Sequence, residues 1–253
     1  MIDAHAHLDD RRFSDDLDAV LARAEAAGVE RVLSCGGDLA SSERSVLIAR
    51  RYPSVRIAVG VHPHHAESWS DSVSGMLNRL ARDEHVVAIG EIGIDLSGRS
   101  APQEAQETAF LAQLALARSL GLPVVVHVRE AGPLVRSLVD RAGGARGMIH
   151  CFSEGPDEVD EWMRRGFAVS FAGPLTYPKN NALRLAAARV SADRLLVETD
   201  APYLAPQVRR GSRNEPAFVL ETLAAVAAAR GEEPGALGSQ IAENAQKLFG
   251  DRF

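Results

Sequence analysis

The sequence predicts an α/β fold of the (β/α)8 TIM-barrel type, and three observations carry that expectation. Short apolar runs alternate with longer helical patterns along nearly all of the 253 residues. Eight such runs occur, the number that closes a parallel barrel. Ionisable residues also gather at the C-terminal ends of the runs, where a barrel places its chemistry. An open doubly wound sheet is the alternative, although it does not by itself predict so many repeats.

In order, the runs are "MIDAHA", "RVLSCG", "RIAVGVH", "VVAIGEIG", "PVVVHV", "GMIHCF", "FAVSF" and "RLLVETD". Strands of a parallel sheet are covered by helices on the outside, so they read as continuous apolar runs. Between them lie amphipathic segments such as "DDLDAVLARAEAAG", "VSGMLNRLARD" and "GPLVRSLVDRAGG", with "PAFVLETLAAVAAARG" after the eighth run. In "AQETAFLAQLALARSLG" the apolar positions 110, 111, 114, 117 and 120 recur at helical spacing, and Gly121 offers a C-terminal stop. No long Pro/Gly/Ser linker or charge block marks a seam, so one domain over residues 1–253 is expected.

Composition bounds the function. Hydrophobic residues at 46% can fill a substantial core, and a net charge of -6 provides no global attraction to nucleic acid. A locally positive cleft that holds only a chain end remains compatible with that charge. No stretch reaches about 18 uninterrupted apolar residues, and no basic region with a long apolar segment opens the chain, so no membrane partner is expected. Cys35 and Cys151 lie far apart without a CxxC pair, a pattern suited to a reducing cytoplasm. The absence of a GxxxxGK loop removes one reason to propose ATP or GTP.

The first run places Asp3, His5 and His7 on one face of a strand, so that two imidazoles can point at a single spot. Their partners stand at the other strand ends: His62 and His64 after the third run, Glu91 in the fourth, His127 ending the fifth, His150 the sixth, and Asp200 following the eighth. Glu91 is a carboxylate inside an apolar strand, costly unless a cation answers it, and a bridging metal ligand meets that need; Gly90 and Gly93 leave room beside it. His127 and His150 close two adjacent apolar runs. Asp200 precedes Ala201 and Pro202, which help end the strand, and it suits a ligand that also takes a proton from water. Asp3 reads as a weak ligand or as a group that orients a histidine, and Glu198 as another group standing behind the ligands. Imidazole and carboxylate donors suit zinc, manganese or iron and not a thiolate-loving ion. Cys151 should point to the far side of its strand and serve packing.

His62, His64 and Arg129, just beyond His127, form a group able to hold phosphate oxygens, which leans toward a phosphoester substrate. The loop "QVRRGSRNEP" adds Arg209, Arg210 and Arg213, expected at the same face.

The segments "DAHAHLD", "GVHPHHA", "IGEIGID", "LPVVVHVREA", "MIHCFS", "ETDAPYLAP", "RGSRNEP" and "NAQKLF" run in order through almost the whole chain. Together they closely resemble the TatD family of metal-dependent deoxyribonucleases within the amidohydrolase-like barrels. The resemblance implies a (β/α)8 fold, a divalent-metal centre and phosphodiester hydrolysis of DNA with exonuclease activity, at single-stranded or frayed ends. It implies His5 and His7 as ligands of a first ion, Glu91 as the bridging carboxylate, His127 and His150 as ligands of a second, and Asp200 as first-ion ligand and catalytic base. It also places His62, His64 and Arg129 near the phosphate. Two departures bear on substrate preference. Leu96 in "GIDLSGRS" stands where the family usually has an aromatic soon after the aspartate, and Glu154 in "CFSEGP" stands where a glycine is common, adding bulk and charge near the mouth.

Six candidate ligands exceed the three usual at a catalytic zinc, so two divalent ions (Zn, Mg or Mn), about 3.5–4 Å apart and sharing Glu91, are expected. A metal-dependent amidohydrolase or lactonase is the alternative, and a non-enzymatic metal-binding protein a third possibility. Related amide-cleaving barrels commonly bridge their ions with a carboxylated lysine, and the fourth strand here carries Glu91 instead.

Overall fold

All eight apolar runs form strands in the computed structural model, which describes residues 1–98, 101–250 and 252–253; positions 99 and 100 of "GIDLSGRS" lie outside it. The strands are β1 (Ile2–Ala6), β2 (Arg31–Cys35), β3 (Val55–Val59), β4 (Val86–Asp95), β5 (Val124–Arg129), β6 (Gly147–Ile149), β7 (Phe167–Phe171) and β8 (Leu195–Val197). Hydrogen-bonded neighbours follow chain order, and every pair is parallel. The ring closes by an isolated parallel bridge between Ala6 and Ala201. There the His7 N–H donates to the Ala201 carbonyl at 2.7 Å and the Asp200 N–H to the His5 carbonyl at 2.9 Å. This closure excludes the open sheet and gives a nearly closed (β/α)8 barrel.

The helices among the described residues are α1 (Leu17–Ala26), α2 (Leu39–Arg51), α3 (Asp71–Leu80), α4 (Gln103–Leu120), α5 (Gly132–Arg141), α6 (Pro156–Arg164), α7 (Asn181–Arg189), α8 (Val219–Arg230) and α9 (Pro234–Phe249). α4 ends as its periodicity predicts, with Gly121 in the left-handed conformation and its N–H returned to the last turn. α9, beyond the eight repeats, packs on β1 and β8. Its Asn244, the first residue of "NAQKLF", is buried and donates to the carbonyls of Ala192 (2.6 Å) and Leu195 (2.9 Å), which anchors the helix to the start of β8. No described helix is long and apolar enough to cross a membrane.

Two features of this frame position the site. β4 is the longest strand, buried along its whole length, and its second half carries Glu91, Gly93 and Asp95 on one face. Gly93 has φ +145°, and a Cβ there would stand 1.9 Å from the His127 carbonyl oxygen, so only glycine lets β4 and β5 approach. The second feature is strain at the rim. Among the described residues, the non-glycine positions with left-handed backbone are Glu130, Cys151, Asp200 and Leu204, all in the segments that follow the C-terminal ends of β5, β6 and β8. Such conformations cost on the order of 1–3 kcal/mol each and persist where surrounding structure enforces them.

Candidate metal centre

A cavity of about 920 Å³ opens at the C-terminal rim, and Glu91 lies at its floor. The Glu91 carboxylate is divided between two sets of imidazoles. Oε2 lies 3.4 Å from His5 Nε2 and 3.5 Å from His7 Nε2. Oε1 lies 2.7 Å from His150 Nε2, 2.9 Å from His127 Nδ1 and 3.3 Å from His62 Nε2. Asp200 Oδ1 completes the first set, 3.6 Å from His5 Nε2 and 3.4 Å from His7 Nε2. Three overlapping triads could each hold a metal ion: His5, His7 and Asp200; His5, Glu91 and His150; and His62, Glu91 and His127.

The chemistry of these donors fits such ions. His5 Nε2 and His7 Nε2 face each other at 3.2 Å, and His127 Nδ1 faces His150 Nε2 at the same distance. Lone pairs so placed, beside carboxylates, need a cation or protons between them. The outward ring nitrogens are mostly fixed by oxygen acceptors, which is how a ligating histidine is oriented. His7 Nδ1 meets the Cys35 carbonyl at 2.9 Å, His150 Nδ1 meets Glu198 at 3.1 Å, and His127 Nε2 meets Asp95 at 3.2 Å. His5 is the exception; its buried Nδ1 has no partner, and its ring is held by stacking on His150 at 4.0 Å.

Electrostatics follows from this packing. Burial would raise Glu91, but the charges of His150, His62 and His5 and the His127 hydrogen bond hold it well below the usual range. Burial pushes His62 down to about 4 against the pull of Glu91. Burial also opposes a proton on His7, yet the Asp200 bond and the Glu91 charge override it and raise His7 to about 9.

All six expected ligands converge here, from β1, β4, β5 and the segments after β6 and β8. His62, expected among the phosphate contacts, lines the cavity and turns Nε2 toward Glu91, while its Nδ1 accepts the His64 N–H at 3.1 Å. His64 and Arg129 line the cavity as expected. Glu198 orients His150 as foreseen and also accepts the Cys151 N–H at 2.9 Å. Asp3 touches neither ring. It accepts the backbone N–H groups of Thr199 (2.8 Å) and His5 (3.3 Å) and the Thr199 hydroxyl, tying β1 to the end of β8, and burial pushes it up to about 8 against those bonds.

Several expectations are corrected. Cys151 does not sit on the far face of a strand, because β6 ends at Ile149 and the chain turns left-handed at Cys151. Arg209, Arg210 and Arg213 lie on the loop after β8, at the face expected, but do not line the cavity. Arg213 binds Asp16 at 2.7 Å and Glu215 at 3.0 Å, with Glu215 also held by Arg23, while Arg209 and Arg210 cover the rings of Phe218 and Tyr177. Glu154 is also absent from the mouth; Arg136 (3.0 Å) and the Trp162 indole N–H (2.6 Å) hold it over Gly132. Leu96 is 37% exposed and does not line the cavity.

Asp95 is a residue to which sequence reasoning assigned no role. Its Oδ2 lies 3.1 Å from His64 Nε2 and 3.2 Å from His127 Nε2, and its Oδ1 accepts Ser97 at 2.6 Å, so one buried carboxylate aligns two histidines. Period two from Glu91 through Gly93 was the signal for it. Asn214 of "RGSRNEP", buried, donates to the carbonyls of Thr199 (2.8 Å) and Tyr203 (2.7 Å), holding the turn that presents Asp200.

Comparison with known proteins places this site in a family. The chain is 40% identical over 260 residues to the 3'-5' ssDNA/RNA exonuclease TatD of Klebsiella pneumoniae, covering 99% of this chain and 98% of the relative. It is 33% identical to an uncharacterized metal-dependent hydrolase, YabD, of Bacillus subtilis, covering 98% of each. The crystal structure of YJJV, a TatD homologue from Escherichia coli, matches with a TM-score of 0.93 at 30% identity, covering 98% of this chain and 97% of that one. The model of the TatD related DNase family matches residues 2–250. With that match and the whole-length relatives, the chain belongs to the TatD family of metal-dependent hydrolases, within the amidohydrolase-like barrels.

Proposed function

We propose that this protein is a divalent-metal-dependent phosphodiesterase that shortens single-stranded DNA, or frayed ends, from a terminus. The observation that carries this reading is the divided carboxylate of Glu91, with one oxygen toward His5 and His7 and the other toward His127 and His150. His5, His7, Asp200 and Glu91 would hold a first ion, and Glu91, His127 and His150 a second. Zinc, magnesium or manganese suits these donors. Bound ions would supply Lewis acidity to the phosphate oxygens and to the attacking water.

The chain's own residues do the rest. Asp200, at the rim beside His7, takes the proton of the attacking water. Arg129, exposed on the cavity wall with its guanidinium free of any carboxylate among the described residues, orients the phosphate together with His64. Asp95 holds His64 and His127 in register for these tasks. The Klebsiella relative is named as a 3'-5' exonuclease of single-stranded DNA and RNA, which supports the same direction here and leaves RNA as a second strand type. Free Cys35 and Cys151 fit a reducing cytoplasm.

The test is a time course with a 5'-labelled single-stranded oligonucleotide and metal-reloaded protein, with metal-free protein as control. Stepwise shortening from the 3' end is expected. Random internal fragments would replace the exonuclease reading with an endonuclease one. Metal-dependent cleavage of cyclic amides or lactones without phosphodiester turnover would overturn the proposal.

A further inference from the structure

The cavity wall holds a second exposed arginine with no carboxylate partner among the described residues, Arg11, in the turn that follows β1. Its neighbours are not free in this sense. Arg12 binds Asp10 at 2.8 Å and Arg44 binds Asp9 at 2.9 Å, so those two acids are already answered. Asp38, on the same wall, caps α2 and accepts the Ser41 N–H at 2.7 Å. Arg11 therefore presents its charge to the cavity without an internal claim on it.

Topology gives that charge a direction. In a ring of eight strands in chain order, β1 and β5 are diametrically opposite, four strands apart either way. Arg11 follows β1 and Arg129 ends β5, so the two unpaired cations stand on opposite lips of the mouth. Glu91 and the imidazoles lie on the floor between them. A cavity of about 920 Å³ is at the upper end for small-ligand sites, which suits more than one nucleotide.

Building on the phosphodiesterase reading above, we propose that Arg11 is a phosphate contact for a nucleotide beyond the one being cleaved, so that the enzyme responds to strand length and not only to the end. A strand with its scissile phosphate at the centre and beside Arg129 runs on across the mouth toward β1, where Arg11 meets a later phosphate.

The experiment compares KM for a dinucleotide and a ten-nucleotide strand, each across a salt series, in metal-reloaded wild type, Arg11→Ala and Arg82→Ala. Arg82 is an exposed arginine between α3 and β4 at the opposite end of the barrel, and it serves as the control for losing one positive charge. Arg11→Ala is expected to raise KM for the ten-mer roughly tenfold, the weak end for a charged hydrogen bond, and to raise it less for the dinucleotide. The slope of log affinity against log salt for the ten-mer should fall by about 0.7, the share of one phosphate contact on a single strand. Arg11→Lys should keep that slope, and Arg11→Gln repeats the measurement should alanine disturb the turn. An equal rise for both lengths, an unchanged slope, or the same effect from Arg82→Ala overturns the assignment. Wild-type cleavage without length dependence overturns it while the nuclease reading stands. Failure of the wild type to cleave either strand sinks the nuclease reading, and Arg11 with it.

Discussion

The two sides of Glu91 are built differently. On the β1 and β8 side, negative charge comes directly from Asp200, and the imidazoles are backed by a backbone carbonyl (Cys35) or, for His5, by no acceptor. On the side of β5 and β6, the imidazoles are themselves backed by carboxylates, Asp95 behind His127 and Glu198 behind His150. Charge thus reaches one candidate ion by contact and the other through a ring. A carboxylate behind a histidine raises its basicity and fixes its tautomer, so the second side should depend on residues that never touch the ion.

Glu91→Gln offers the severest test, because Glu91 is shared by both sides. Turnover should be lost, and metal titration should find fewer than two tight equivalents; two retained equivalents would end the bridging assignment. Asp200→Asn touches only the first side. It should lower turnover by roughly 10²–10⁴-fold even when metal occupancy is restored, the range for losing a general base. Full activity with both ions bound would remove Asp200 as the proton acceptor.

Asp95→Asn and Glu198→Gln address the second side alone. Each should weaken one metal equivalent by roughly 10–100-fold, as losses behind a ligand do, and leave the other equivalent in place. If both equivalents weaken together, the division proposed here is wrong. The smallest effect is expected at Glu215, which helps clamp the loop after β8 to α1 on the first side through Arg23 and Arg213. Burial would raise its pKa, but the two arginines lower it below the usual glutamate range. Its contribution is therefore present above the unfolded glutamate pKa and lost as pH falls through the folded value. Glu215→Gln should cost about 1 kcal/mol in urea unfolding at pH 7, and the gap to wild type should close in acid.

The strands were legible because burial on both faces leaves an apolar run that needs no partner to be recognised. The cluster of histidines and carboxylates was legible for a related reason, since a barrel brings strand ends together whatever their separation in sequence. α2 was harder to see, because its inward face is made of Ser41, Ser42 and Ser45 along with Val46 and Ala49, and buried hydroxyls erase the apolar period. The misplaced residues share another cause. Arg213 and Glu154 carry charges that suit a substrate site, but charge alone does not say whether the partner is a ligand or another side chain. Asp16 and Glu215 claim the first, and Arg136 and Trp162 the second. Asp95 was passed over because the residues that give it work, His64 and His127, arrive from other strands.

The seam between β1 and β8 has a consequence for when the protein can act. His5 and His7 emerge early in synthesis, but Asp200, which completes their set, follows almost two hundred residues later and reaches them only when the last stave of the barrel meets the first. A partly made chain, or one cut between these strands and sprung open, lacks the set of His5, His7 and Asp200. On the role proposed above for Asp200, hydrolysis begins only once the ring has closed.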